Sequence, residues 1–307
     1  MIESHLALGE WEQADLYYNY LFFVQRKAYG ADDPRIIPIL DRLANWNIQA
    51  FNIGYGESLG LRLSTAQILF SAAARMVGVH FGRGDERFVS YLHNLAGSAY
   101  LVSTNPGLMQ EAYRAENRLS QDLLRSQLNE SANYGFRGFQ SGENALRDIV
   151  EYYRNPPDSV YDLAEATTNL GDWYLLFDRR RLATEMYQQA WNLLAAEEDG
   201  EELIQQLFGQ VVPLPTFIGK STDKMIATTA LVRDATAMLY DHVDLSFDVT
   251  ERGTVRNVEI LSEQTEANSD QLLRVSQEVR RSHFRPLIIE GVRVRSDGNR
   301  FRYRFWY

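Results

Sequence analysis

The sequence contains no cysteine and no long hydrophobic run. The absence of cysteine excludes disulfide bonds, thiolate nucleophiles and metal sites built on thiolate ligands. A membrane-spanning helix needs about 18 or more consecutive apolar residues, and no such stretch occurs. The segment Met1–His5 has neither the basic start nor the apolar core of a secretory signal. These absences leave the compartment of the protein open.

Metal-binding and phosphate-binding patterns are also missing. None of the 5 histidines lies four residues from another, so the His-Glu-x-x-His pattern of zinc enzymes is absent. The glycines between Gly54 and Gly60 are not followed by the Lys-Ser or Lys-Thr of a phosphate-binding loop. We therefore predict no catalytic residue, no metal and no cofactor. An enzyme would need a deep pocket with several groups of shifted pKa, which the sequence gives no reason to expect.

The net charge of −10 is carried by the first 239 residues. Residues 240–307 contain 11 of the 31 basic residues and 11 of the 41 acidic residues, so this segment is neutral. An acidic protein repels the phosphates of nucleic acids and the headgroups of anionic lipids. Nucleic acid and the membrane surface are therefore not expected as partners.

Residues 164–193 have the spacing of a repeated helix pair. A leucine and a glycine are followed by an aromatic residue in a first predicted helix, at about 164–177. A second predicted helix, at about 179–193, has alanine, tyrosine and alanine on one face. The matching residues are Leu170, Gly171, Tyr174, Ala183, Tyr187 and Ala190. In order and spacing this segment resembles a tetratricopeptide repeat (TPR).

Weaker patterns of the same kind occur upstream. Ala14, Tyr18 and Leu21 are spaced i, i+4 and i+7, which places them on one helical face. Three looser units follow at intervals of roughly 35–45 residues. The resemblance implies an α-solenoid of about five units that binds other proteins. Because the first unit lacks half of its first helix, we expect that the natural protein extends upstream and that any export signal lies there.

The repeat pattern ends before residue 209. The segment Val211–Pro215 contains two prolines, and each disfavours helix at its own position and at the residue before it. We therefore predict a helical repeat domain at 1–208, an extended linker at 209–221 and a second domain at 222–307. The second domain is predicted to begin with a helix at 222–240.

The second domain continues with alternating strand patterns. Residues 244–249 and 255–261 alternate like the two strands of a hairpin, with Gly253 in the turn. A helix is predicted at 269–283, and a last strand follows. Its aromatic residues alternate with arginines and are expected to face the core: Phe301, Tyr303, Phe305 and Tyr307.

Four segments of this region have a recognisable order. They are Phe247–Val249 with Gly253, Val258–Ser262, Arg280–Pro286 and Phe301–Phe305. Together they resemble the carboxy-terminal domain of TonB over about residues 240–307. In that family the domain works in the periplasm and pairs an edge strand with an extended segment of an outer-membrane transporter. The expected fold is thus mainly α, a TPR-like α-solenoid followed by a small α+β domain of ββαβ order.

Two sets of residues are candidate binding sites. The TPR resemblance implies that four positions of the first helix line a concave groove, namely Glu165, Thr168, Asp172 and Leu175. On the last strand, one face carries Arg300, Arg302 and Arg304. These arginines either pair with acidic neighbours or solvent, or mark an edge that avoids self-association and attracts an acidic partner strand. The sequence leaves both alternatives open.

The predicted function is that of a non-enzymatic adaptor for protein–protein interaction in the periplasm of a Gram-negative bacterium. The groove would bind one partner, and the sheet would add a strand from a second partner or dock on the solenoid itself. The alternative is a TonB-type energy transducer for outer-membrane transport, with its membrane anchor outside this sequence.

Overall fold

The computed structural model describes residues 2–109, 138–154, 159–217, 240–263 and 269–306. The chain is mainly helical and has a small region of antiparallel strands near its C-terminus. This confirms the coarse fold class that the sequence predicts. The predicted helix at 222–240 lies outside the described residues, except for Tyr240, which begins a strand.

The chain divides into two compact units. Of the described residues, those up to Tyr152 and Phe217 belong to the first unit, and the others belong to the second. The second unit therefore combines the last helix pair with the C-terminal strands. The sequence, in contrast, predicts a boundary after residue 208.

The first unit is built from helices. They are α1 (Ile2–Leu8), α2 (Trp11–Tyr29), α3 (Ile37–Asn52), α4 (Leu59–His80), α5 (Glu86–Thr104) and α6 (Gly138–Arg154), with a 3-10 turn at Pro34–Ile36. Side-chain caps fix where three of these elements begin. Asp33, Ser58 and Asp85 each accept a hydrogen bond from a backbone N–H in the first turn that follows.

Small and aromatic residues fill the core of the first unit. Ala14 and Tyr18 of the predicted first repeat are buried, and the Tyr18 ring stacks on Trp46 with 5.9 Å between centroids. The Trp46 indole N–H donates to the Asp15 carboxylate at 2.6 Å, which satisfies its polar atom inside the core. The periodic apolar face of α2 therefore packs against α3, as its spacing predicts.

The helices of the second unit agree with the predicted helix pair. They are α7 (Val160–Leu176), α8 (Arg180–Ala195) and the shorter α9 (Gly200–Phe208). The first begins four residues earlier than predicted because the Ser159 hydroxyl accepts a hydrogen bond from the Asp162 N–H at 3.2 Å.

The helix pair needs a small residue at its crossing because there is little space around Gly171. A Cβ atom at this position would lie 2.7 Å from Cε1 of Tyr187, which is closer than a Cβ atom comes to a non-bonded atom in folded proteins. Ala183, Tyr187 and Ala190 are fully buried on the facing side of α8. The sequence pattern of small and aromatic residues thus corresponds to a close helix–helix contact.

The described strands of the second unit form three small antiparallel sheets. The largest has the order β3 (Val255–Ile260), β2 (Tyr240–Val249) and β7 (Ser296–Trp306). A helix, α10 (Ser269–Arg281), connects the β2–β3 hairpin to the later strands. Two further pairs join β1 (Val212–Pro213) to β4 (Phe284–Arg285), and β5 (Leu287–Ile289) to β6 (Val292–Val294).

Alternation along β2 determines the sheet core. Val243, Leu245, Phe247 and Val249 are at most 1% exposed, and α10 covers them with Leu272, Val275 and Val279. From β7, Phe301 and Tyr303 pack against the same cluster. These two aromatic residues face the core as predicted, whereas the side chain of Phe305 and residue Tyr307 lie outside the part that the structure describes.

Candidate functional site

A buried ion pair lies in the second unit and includes Asp172, four residues before the end of α7. Arg285 of β4 donates two hydrogen bonds to the Asp172 carboxylate, from Nε to Oδ1 at 2.9 Å and from Nη2 to Oδ2 at 2.5 Å. The two side chains are 4% and 0% exposed. This bidentate geometry is the strongest arrangement of an arginine and a carboxylate.

Two hydroxyl groups complete the surroundings of the Asp172 carboxylate. The Tyr187 hydroxyl donates to Oδ1 at 2.8 Å, and the Thr216 hydroxyl lies 2.9 Å from Oδ2. The remaining Arg285 nitrogen, Nη1, donates to the Leu207 carbonyl oxygen at 3.3 Å. The buried charges are therefore satisfied by hydrogen bonds from β4 and α8 to the carboxylate and from the guanidinium to α9. The single proton of the Thr216 hydroxyl is shared between Asp172 and Asn169, whose Oδ1 lies 2.7 Å away.

The electrostatics of this cluster keep the arginine charged and the tyrosine neutral. Burial disfavours the charged guanidinium of Arg285, but the attraction and hydrogen bonds of Asp172 outweigh it, so its pKa lies above the usual value. Burial and then the negative charge of Asp172 raise the pKa of Tyr187 far above its ordinary value. Tyr187 therefore stays protonated and donates its hydrogen bond.

Three of the four predicted groove residues are buried in this structure. Asp172, Thr168 and Leu175 are buried, so none of them faces a separate partner in this conformation. The Thr168 hydroxyl donates to the Ala164 carbonyl of its own helix at 2.8 Å. Glu165 is half-buried, and its negative charge contributes to the raised pKa of Arg285.

The C-terminal strands dock on the last helix pair at further points. Gly253, in the β2–β3 turn, has a positive φ of 76°, and a Cβ there would clash with the Phe284 carbonyl and lie 3.1 Å from Leu175 Cδ2. Arg293 of β6 donates to the Thr184 hydroxyl at 3.0 Å. The chain's own strands thus contact Asp172 and Leu175, two of the α7 residues that the sequence assigns to a partner.

The outer edge of β7 is a second candidate site. β7 pairs with β2 from Val249↔Ser296 to Tyr240↔Trp306, with a register shift between Phe247 and Val249. No other described strand pairs with β7. Every second residue of an edge strand points its backbone N–H and C=O away from the sheet, so this edge can accept another strand.

The three predicted edge arginines differ in their surroundings. Arg302 donates from Nε and Nη2 to the two oxygens of Asp244 at 2.7 and 2.8 Å, and these hydrogen bonds raise its pKa. Arg300 is exposed and has no ion pair among the described residues. The backbone of Arg304 is in register with His242, and its side chain lies outside the described part. The acidic-neighbour alternative thus holds for Arg302, and the partner alternative stays open for Arg300.

The first unit has a cleft of about 700 Å³ between α4, α5 and α6. Among its lining residues, Arg83 and Asp148 form an ion pair with 3.6 Å between Nη1 and Oδ1. Burial raises the pKa of Asp148, and the charge of Arg83 opposes this shift. Its walls contain both apolar and polar side chains, a mixture that suits a peptide segment.

The loop between α3 and α4 contains a match to a catalytic sequence pattern. Residues 56–60 read Gly-Glu-Ser-Leu-Gly, which fits the Gly-x-Ser-x-Gly nucleophile elbow. That elbow requires a strand before the serine, whereas α3 precedes this loop. Ser58 has an extended backbone and accepts a hydrogen bond from the Leu61 N–H at 3.4 Å. Its position is that of a helix cap.

Arg285 is the functional residue that the sequence patterns do not reveal. It follows Phe284 directly and is followed by Pro286 and then by the apolar run Leu287–Ile289. A single charged residue within a short apolar segment is a signal of a buried, paired charge, because burial of an isolated charge is costly. The sequence does not identify its partner, which lies 113 positions away.

The described residues offer neither a metal cluster nor a membrane-spanning helix. They contain no group of three or more histidine, aspartate or glutamate side chains that could hold a metal ion. Within the same residues, no helix has both the length and the apolar character needed to cross a bilayer. No known family model matches the chain, and no curated protein matches it either.

Proposed function

We propose that this protein is a non-enzymatic adaptor that captures an extended segment of another protein as an added strand beside β7. The observation that carries the proposal is the outer edge of β7, an 11-residue strand with one strand neighbour among the described residues. Strand addition obtains its affinity from main-chain hydrogen bonds and its selectivity from the side chains along the edge.

The chemistry of the edge favours a partner strand with acidic side chains. On the inner face, Phe301 and Tyr303 pack on the sheet core and are not available. On the outer face, Asp244 compensates the charge of Arg302, whereas Arg300 is exposed opposite Ser246. An acidic residue of the partner that lies beside Arg300 would accept a charge-assisted hydrogen bond from it.

The helical part would provide a separate binding surface. The face of α7 and α8 is occupied by the chain's own C-terminal strands, so the cleft between α4, α5 and α6 is the better candidate for a peptide groove. We propose that the helix pairs belong to a TPR-like α-solenoid. The close crossing of α7 and α8 at Gly171 supports this assignment.

We also propose a TonB-like identity for the C-terminal sheet and, with it, a periplasmic location. The order of β2, β3, α10 and β7 supports the first assignment, since it follows the ββαβ order of that family. The location depends on the family resemblance. Proteins or peptides of a periplasmic or outer-membrane complex are the proposed partners, with no role for nucleic acid, cofactor or metal.

The experiment uses two fluorescent eight-residue peptides, one alternating glutamate with valine and one alternating lysine with valine. Binding to the full chain is measured by fluorescence anisotropy. We expect the glutamate peptide to bind more tightly, and Arg300→Glu to weaken it about tenfold, since the substitution replaces attraction by repulsion.

The matched control places the same change on the other edge of the sheet. Arg256 is exposed on β3, and Arg256→Glu alters the net charge by the same amount as Arg300→Glu. This variant should bind the glutamate peptide like the wild type. Equal losses in both variants would show a general charge effect, and the absence of any difference between the two peptides would rule out the acidic strand.

A further inference from the structure

The outer face of α2 exposes a stripe of large apolar side chains. Leu16, Tyr20 and Phe23 are 66%, 63% and 58% exposed. Their spacing of four and then three residues places them on one side of the helix, opposite the buried Ala14 and Tyr18. A continuous apolar stripe on a surface helix indicates a docking face more often than isolated exposed residues do.

The two ends of this stripe carry opposite charges. Glu12 lies four residues before Leu16, and Lys27 lies four residues after Phe23, so both fall on the same side of the helix as the apolar residues. Both are exposed. Along this face, an acidic residue is followed by three apolar residues and then by a basic residue, over about 22 Å of helix.

Two copies of this face are complementary when the two helices run in opposite directions. If two such helices pack antiparallel, the acidic end of one meets the basic end of the other, and the apolar segments meet in the middle. A parallel arrangement would place Glu12 beside Glu12 and Lys27 beside Lys27, which is repulsive. The alternating spacing of three and four residues is that of helices packed side by side.

We propose that a second copy of this chain docks on α2 in an antiparallel arrangement around a two-fold axis near Tyr20. Each Tyr20 then contacts its equivalent, Leu16 of each copy lies against Phe23 of the other, and Glu12 of each copy pairs with Lys27 of the other. This is an isologous interface, in which one patch serves both subunits and closes the assembly as a dimer.

Charge reversal tests this register directly. The mass of the full chain is measured by sedimentation equilibrium up to about 100 μM, where dimerisation shows as a concentration-dependent mass. Each pair occurs twice in the dimer, so we expect Glu12→Lys and Lys27→Glu each to weaken dimerisation about tenfold. The double variant restores both pairs and should return to within about threefold of the wild type. A chain that stays monomeric overturns the proposal, and so does a double variant that is weaker than either single variant.

The absence of native cysteine allows a second readout. Tyr20→Cys places one thiol per copy at the axis, and mild oxidation should convert most of the chain into a disulfide-linked dimer. Ala28 is exposed on the same helix but lies off the stripe, so Ala28→Cys is the matched control and should remain monomeric under the same conditions. Equal crosslinking of the two variants, or none in the first, contradicts the antiparallel interface.

Discussion

The second unit contains two arginine–carboxylate pairs of nearly the same geometry and opposite surroundings. Arg285 binds Asp172 at 2.9 and 2.5 Å, and Arg302 binds Asp244 at 2.7 and 2.8 Å, in each case through Nε and Nη2. The first pair is 4% and 0% exposed, whereas the second is 65% and 35% exposed. Water and salt screen the second pair and do not reach the first.

Burial and connectivity decide what each of the two pairs does. Arg285 and Asp172 join a C-terminal strand to a helix 113 positions earlier, and each is the main charge partner of the other. Arg302 and Asp244 join neighbouring strands that already share a hydrogen-bonded register. We infer that the buried pair fixes the sheet on the helix pair, and that the exposed pair adjusts the charge of an open edge.

The largest effect is expected from Asp172→Ala. It leaves the Arg285 guanidinium buried without its counter-charge, so the free energy of opening of this unit should fall by about 3–5 kcal/mol. Amide hydrogen exchange of α7 and β4 measures this change locally. The double variant Asp172→Leu with Arg285→Met leaves no buried charge and should lose less than the single variant. A loss of less than about 1 kcal/mol in the single variant would contradict the role given to the pair.

A smaller loss is expected when the neighbouring helix crossing is disturbed. Gly171→Ala places a methyl group against the Tyr187 ring, which cannot move away because its hydroxyl is bound to Asp172. Overpacking should outweigh the gain in helix propensity, for a net loss of about 1–2 kcal/mol in the same exchange measurement. Gly84→Ala is the control, since no atom lies within 4 Å of the position that its methyl group would take. A gain in stability for Gly171→Ala would show that the crossing is looser than described.

The smallest effect is expected at the exposed pair. Asp244→Ala removes the carboxylate that binds Arg302, but both groups remain accessible to water. The exchange-derived free energy of β2 should stay unchanged within measurement error, at low and at high salt. A clear, salt-dependent loss would mean that the surface pair contributes to holding the sheet together.

Much of the fold follows from local sequence patterns. The spacing of Gly171, Ala183 and Tyr187 predicts a close helix pair, and the structure has this crossing. The alternation along 244–249 predicts a half-buried strand, and its apolar residues form the sheet core. Both patterns are local consequences of helical and extended periodicity, so a single sequence contains enough information to find them.

The candidate site is less predictable because it depends on contacts between distant segments. The predicted linker residues Val212 and Pro213 pair with Arg285 and Phe284, which no local pattern indicates. Asp172 lies on the predicted face of its helix, but its partner is the chain's own arginine instead of another protein. Periodicity predicts which face a residue occupies, and only the tertiary fold determines what covers that face.

The most direct test of this account is a pair of double-mutant cycles in the same chain. One cycle combines Asp172→Ala with Arg285→Ala, and the other combines Asp244→Ala with Arg302→Ala, with opening free energies taken from amide exchange. We expect a coupling of about 2 kcal/mol or more for the buried pair, and none that can be measured for the exposed pair. Equal couplings would contradict the claim that the buried pair holds the C-terminal sheet on the helix pair.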